Sequence, residues 1–213
     1  MRDELIIKNI NKHNKEIIET LLSRRHFPDY ISIKQEFSKN GVSEKFKKSF
    51  CRFYILNGAR GLNPSQKTAF FSLLYKKEND LEKILLTLHK IPGYGNRQKI
   101  HLSFASKLVH TLDDNLPIFD KSVSSILCLP NPVYCIPFEN RIEIIDTYID
   151  VYIGLKRRFG LLLKNKEIKK ILKKKRDYFR SKSYWQDDLI TDTKLLDSIL
   201  WALFKVLVKN LKS

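Results

Sequence analysis

Residues 88–123, LHKIPGYGNRQKIHLSFASKLVHTLDDNLPIFDKSV, concentrate the groups of this chain that could do chemistry. Two glycines flank a tyrosine after a proline, Pro92-Gly93-Tyr94-Gly95, and Arg97 follows. Glycines let backbone N–H groups come close to a phosphate, and a helix starting just beyond adds the positive end of its dipole. Gly93, Tyr94, Gly95 and Arg97 are therefore candidate contacts to a DNA backbone. The same residues also make an ordinary turn between helices. Beyond them an amine-bearing segment with Lys99 and Lys107 runs through Asn115-Leu116-Pro117 and delivers Asp120 at the start of what reads as a new helix. Capping alone is a sufficient role for that carboxylate, which is placed to accept from the amides of Ser122 or Val123.

The elements that must position these groups are helical. Only seven glycines and seven prolines punctuate 213 residues, and the segments between them repeat apolar residues three and four apart, which predicts an all-α fold. Helices are expected over about 14–25, 43–56, 65–76, 79–90, 99–112, 120–128, 139–158, 166–181 and 193–210. At Asn63-Pro64-Ser65 a proline and a hydroxyl cap precede the repeat Ala69, Phe70, Leu73, Leu74. Laid on a helix, Ile100, Phe104, Ala105, Leu108, Val109 and Leu112 form a broad apolar arc. Lys99, Ser103, Ser106 and His110 fall in one narrow stripe, with Lys107 at its edge. The stretch CLPNPVYCIPFEN, with three prolines, reads as a rigid loop between two helical groups. The length suits one large domain, 1–213, or two closely packed lobes of about 1–90 and 91–213.

Forty lysines and arginines against twenty-three acids leave a formal charge of +17, which points to a polyanionic partner, nucleic acid first. The run LKNKEIKKILKKKRDYFR sets Ile168, Ile171 and Leu172 on one side and lysines elsewhere, so it is an amphipathic helix whose cationic face is either simply solvated or tracks phosphates. Cys51, Cys128 and Cys135 are odd in number and lack metal-finger spacing, as expected of reduced thiols in the cytoplasm. The first residues do not read as a signal peptide. The most apolar segment, LLDSILWALFKVLVKNL, is broken by Asp197 and Lys205 and reads as a buried helix, with no membrane partner expected.

A proline-glycine hairpin, a lysine-bearing helix and an aspartate about twenty residues later, reached through Pro117-Ile118-Phe119-Asp120, resemble the helix-hairpin-helix DNA glycosylase superfamily, in particular its 8-oxoguanine glycosylase branch and bacterial relatives. SFASKLVHTLDDNLPIFDKSV carries most of the likeness, and FYILNGARGLNPSQKTAFFSLL and TKLLDSILWAL extend it over roughly residues 50–210. The resemblance implies a two-lobed helical glycosylase fold with a cleft between the lobes, a monomer acting on double-stranded DNA without a cofactor or metal. It implies excision of a modified base, an oxidised purine by expectation, with or without lyase activity. In the family's hairpin the lysine comes two residues after the second glycine. Here that position is Arg97, Lys99 follows two residues later, and Lys107 occupies the Phe-Ala-Ser-Lys match, so both lysines stand as candidate nucleophiles, Lys99 slightly favoured. Asp120 matches cleanly, as the carboxylate that stabilises the developing sugar cation. Phe104, His110, Trp185 and Trp201 are candidates for stacking on or reading an extruded base, although Trp201 also fits plain core packing.

Two further classes compete. A non-catalytic nucleic-acid-binding helical protein needs the charge and the hairpin but no Lys/Asp pair. A nuclease or defence enzyme acting on modified DNA needs a metal cluster or histidine acid/base chemistry, and His13, His26, His89, His101 and His110 form no ligand pattern.

Overall fold

Ser43, Asn63, Asp80, Asp120, Asn165 and Thr191 each stand just before a helix and accept a hydrogen bond from its first turn. Such side chains replace the missing partners of the first N–H groups and so decide where a helix begins. The computed structural model describes residues 2–58, 61–96, 98–130 and 141–211, leaving aside the side chains of 141–143. Among the described residues there are eleven α-helices and no strand: α1 (Asp3–Lys12), α2 (Asn14–Ser23), α3 (His26–Asn40), α4 (Glu44–Phe53), α5 (Pro64–Tyr75), α6 (Leu81–His89), α7 (Leu102–Leu112), α8 (Lys121–Leu127), α9 (Arg141–Lys164), α10 (Lys166–Arg180) and α11 (Asp192–Asn210). The expected all-α class is what the chain adopts. None of these helices is long and apolar enough to cross a membrane.

Several expectations need correction. Helices α1 and α3 were not anticipated: α1 buries only Ile6 and Ile10, and α3 carries Pro28 in its first turn, where proline costs no hydrogen bond. The cap of α5 is Asn63 and not the hydroxyl of Ser65; Asn63 and Gln66 form a reciprocal capping box around Pro64. Most important for the site, α7 begins at Leu102, so Lys99 lies on the preceding loop and shares no helix face with Ser103, Ser106 and His110. Residues 131–140, with Cys135 and most of the expected proline-rich loop, lie outside the described residues, as does Arg97.

Helix α11 is the axis of the packing. It lies against α2 and α8 and also touches α1, α9 and α10. Every residue from Thr193 to Leu200 is buried, two full turns with no solvent face, including Lys194, Asp197 and Ser198. Around this axis α3 packs on α4, α5 on α6 and α7, and α6 on α9. One hydrophobic cluster runs from Ile6 of α1 to Val206 of α11.

The loop between α6 and α7 is tied to the start of α5. The Asn63 amide donates to the Pro92 carbonyl (2.8 Å), and the buried Gln66 amide donates to the Ile91 carbonyl (3.0 Å) and to His101 Nε2 (3.1 Å). Asn63→Ala removes both a cap and a hairpin anchor. It is expected to destabilise the fold by about 1–2 kcal/mol, seen as a lower urea midpoint at unchanged slope.

Candidate active site

Residues 113–119 form a strap between α7 and α8, and its attachments fix where Asp120 emerges. His110 Nδ1 donates to the Leu116 carbonyl (2.6 Å), Tyr152 to the Pro117 carbonyl (3.1 Å) and Thr191 to the Asp114 carbonyl (2.8 Å). Lys34 pairs with the Asp114 carboxylate at 2.7 Å. The Phe119 amide donates to Ser106 Oγ (2.9 Å), which sews the end of the strap directly onto α7. Ser106 is fully buried, and with Ala105 it provides the close approach that their small side chains allow. Asp120 then caps α8, its Oδ1 accepting from the Ser122 amide at 2.7 Å, and the residue stays partly exposed.

Across this seam stands Lys107. It is 6 % exposed, and its Nζ donates to Ser103 Oγ (2.6 Å) and to the Ser103 carbonyl (3.0 Å), one turn back on α7. The rings of Phe104 and Tyr54 lie 5.4 and 5.8 Å from the amine. Burial drives its pKa from an ordinary 10.5 down to about 8; the carboxylates of Asp120 and Asp197 pull it back up, and Lys194 pushes it further down. A lowered pKa makes the neutral amine far more accessible near neutral pH than in an unperturbed lysine. A neutral amine has two N–H bonds, matched by the two Ser103 acceptors, so its lone pair is left for a nucleophilic role.

A second pair lies deeper, on α11. Lys194 Nζ contacts Asp197 Oδ2 at 3.0 Å, with side-chain exposures of 2 % and 8 %. Lys194 also stands 4.8 Å from the centre of the Tyr30 ring. Asp197 Oδ1 is buried and has no hydrogen-bond partner among the described residues. Burial pushes the Asp197 carboxyl upward, Lys194 opposing this by charge and by hydrogen bond, and Asp120 and Lys107 also act on it. Lys107, Asp120, Lys194 and Asp197 are thus one electrostatic unit with alternating signs. Lys194, Tyr30 and Tyr54 were not singled out from the sequence, and Asp197 and Ser103 stood out there only as an interruption of the apolar C-terminal run and as a member of the polar stripe.

The structure brings some candidates together and separates others. Lys107 and Phe104 adjoin each other near Asp120, whereas Lys99 is exposed on the loop before α7. Gly93 is partly buried, and Tyr94 and Gly95 are exposed in a 3₁₀ turn, with Gly95 and Asn96 in the left-handed region at φ 69° and 55°. The Asn96 amide there donates back to the Gly93 carbonyl (3.1 Å), so it is not available to a phosphate. His110 lies in the last turn of α7 but faces inward. It is 1 % exposed, with Nε2 3.0 Å from the Tyr30 hydroxyl. Trp201 stacks on His26 at 5.2 Å, and Trp185 packs between Phe27 and Phe179 while its Nε1 donates to Asp187 (3.0 Å). Both tryptophans do packing work. Surface cavities of about 590 and 450 Å³ lie elsewhere, one beside Lys67, Phe71 and Tyr75 and the other beside Glu16, Arg24 and Lys205. Among the described residues no group of three or more His, Cys, Asp or Glu is placed to hold a metal ion.

Two consequences are measurable. Lys194→Met leaves Asp197 buried without its cation and is expected to cost about 3–5 kcal/mol, while Lys194→Met/Asp197→Leu recovers much of that loss in thermal and urea unfolding. Burial lowers His110 to about 3 and His101 to about 4, with Lys194 adding to the first shift and Lys99 to the second. Both folded values lie below the unfolded 6.5, so the folded chain binds fewer protons and this stability, complete above pH 6.5, is lost as pH falls toward 4. His110→Gln is expected to show a shallower decline of urea midpoint between pH 7 and pH 4.5 than the parent chain. Compared with protein-family models, with curated proteins and with solved structures, the chain matches none.

Proposed function

We propose that this protein is a DNA glycosylase that flips a modified base, an oxidised purine by expectation, out of duplex DNA and attacks its sugar with the amine of Lys107. The observation that carries the reading is the state of Lys107: a desolvated lysine with its pKa lowered to about 8, in the electrostatic reach of the carboxylate that opens the next helix. The likeness of residues 99–123 to helix-hairpin-helix glycosylases supports the assignment, and the charge of +17 suits a duplex partner. In this reading α6, the Gly93–Gly95 turn and α7 are the helix-hairpin-helix, the helices before and after residue 90 form the two lobes, and the protein acts as a monomer.

The neutral amine forms a bond to C1′ as the bond from C1′ to the base breaks. The electron pair leaves with the base, which takes up a proton. Loss of the proton from the new ammonium and opening of the sugar ring give a Schiff base, which is released by water or with strand scission. Asp120 opposes the positive charge that builds on the sugar. The extruded nucleoside reaches the amine by displacing Tyr54 and Phe104, the two rings beside it, and Phe104 then offers a stacking surface.

A second reading has its own support. Lys107 is sealed, and neither cavity of about 590 or 450 Å³ opens onto it or Asp120, as suits a helical protein that binds nucleic acid without chemistry. Duplexes carrying single modified bases separate the two. The glycosylase is expected to release base from one of them, with a rate that rises as pH increases through about 8, and to be trapped on it by borohydride. Lys107→Gln is expected to slow release by about 10²-fold or more and abolish trapping, with Lys99→Gln near parental. Asp120→Asn is expected to slow release by a similar factor. Full release by Lys107→Gln would remove the amine from the mechanism; duplex binding without release of any base would favour the second reading.

A further inference from the structure

Helix α10 divides its lysines into two populations. Lys175, 3 % exposed, turns inward and donates to the Asn14 side chain and carbonyl (2.6 and 3.2 Å), pinning α10 to the start of α2. Around it Ile168, Ile171, Leu172 and Phe179 are buried, and Phe179 stacks on Trp185 at 5.4 Å. Arg176 and Arg180, at the C-terminal end, are taken up by Asp187, Asp192 and Asp177 at 2.6–3.3 Å. The cations left over lie in the N-terminal half. From 164 to 174 there are six lysines and one acid, Glu167, which pairs with Lys170 at 2.8 Å. Lys164, Lys166, Lys169, Lys173 and Lys174 are all exposed, and none has a carboxylate within 4 Å among the described residues.

A chain that segregates its acids this way leaves a cationic face on a firm scaffold, to which a polyanion is the complementary partner. The fold also decides which polyanion. An amphipathic helix that binds an anionic bilayer inserts its apolar side, and here that side is already buried in the core. What remains is charge on a firm scaffold, the requirement for phosphate contacts. From Lys166 to Lys174 the helix rises about 12 Å, a length along which a duplex carries about seven phosphates.

We propose that the exposed lysine face of α10 is a docking surface for the phosphate backbone of duplex DNA, separate from the Lys107 site. It rests on the duplex partner of the reading above and not on its chemistry. The contact is indifferent to sequence and to base damage, and it holds the protein on undamaged DNA.

The test is fluorescence anisotropy of an unmodified 20-base-pair duplex over a salt series, with the full chain. Lys166→Gln, Lys169→Gln, Lys173→Gln and Lys174→Gln are combined in one variant. A control variant loses the same charge at scattered exposed positions, Lys8→Gln, Lys39→Gln, Lys48→Gln and Lys76→Gln. The α10 variant is expected to bind at least about tenfold more weakly near 0.1 M salt, with the salt slope reduced by about three to four, and the control by markedly less. Equal weakening in the two variants would overturn the proposal, because net charge alone would then explain binding. So would unchanged affinity of the α10 variant, or parental binding to phosphatidylserine vesicles but not to the duplex. Base release is followed in parallel on the duplexes carrying single modified bases: α10-dependent binding with no base released from any of them sustains this surface while counting against the glycosylase reading, and release by a fully binding α10 variant does the reverse.

Discussion

Four charged side chains, the buried Lys107, Lys194 and Asp197 and the partly exposed Asp120, act on one another where α7, α8 and α11 meet. Each of the three buried ones would be costly alone, because desolvation of an ion exceeds what one partner returns. Together their signs alternate, and local devices on three helices place them. Lys194 and Asp197 sit a turn apart on α11, Lys107 is held to Ser103 on α7, and Asp120 is held as the cap of α8. The elements that meet here, α7, α8 and α11, therefore have little freedom to slide: a shift of one turn would leave an uncompensated charge in the core.

The strap from 113 to 119 converts that constraint into a position for Asp120. Its carbonyls are taken by α7, α9 and the lead-in to α11, and its last amide by Ser106. The neutral state of His110 belongs to the same design: a carbonyl oxygen accepts at Nδ1, which must carry the proton, so Nε2 is free to accept from Tyr30. At the other end of α7, His101 accepts from Gln66, whose oxygen is engaged with the Asn63 amide. Both ends of α7 are thus clamped through neutral histidines, and the amine between them inherits the precision.

Lysine is used in two opposite ways in this chain. Lys107, Lys175 and Lys194 are buried and individually partnered, and burial brings the first two to about 8. The lysines on the outer face of α10 stay in water and keep their charge at the surface. Composition cannot separate the two groups, since a buried lysine and an exposed one add the same unit to the total of +17.

What the sequence by itself determined was local: the helical class from three-and-four periodicity, the cap at Asp120, the amphipathic face of α10, and the presence of two rival lysines ahead of one aspartate. Helices α1 and α3 escaped, since α1 shows one buried pair and α3 begins through a proline. Tertiary structure alone set the two lysines apart, one exposed and one buried. Three residues of loop before Leu102 put Lys99 in water, while Lys107 went inward because Ser106 and Ala105 beside it let the strap and its neighbours close over α7. The pair on α11 was likewise unreadable as part of the site, because its meaning comes from packing against helices distant in the chain. Periodicity and caps are set by neighbours in sequence, whereas burial and electrostatic coupling are set by neighbours in space, and only folding makes the second kind.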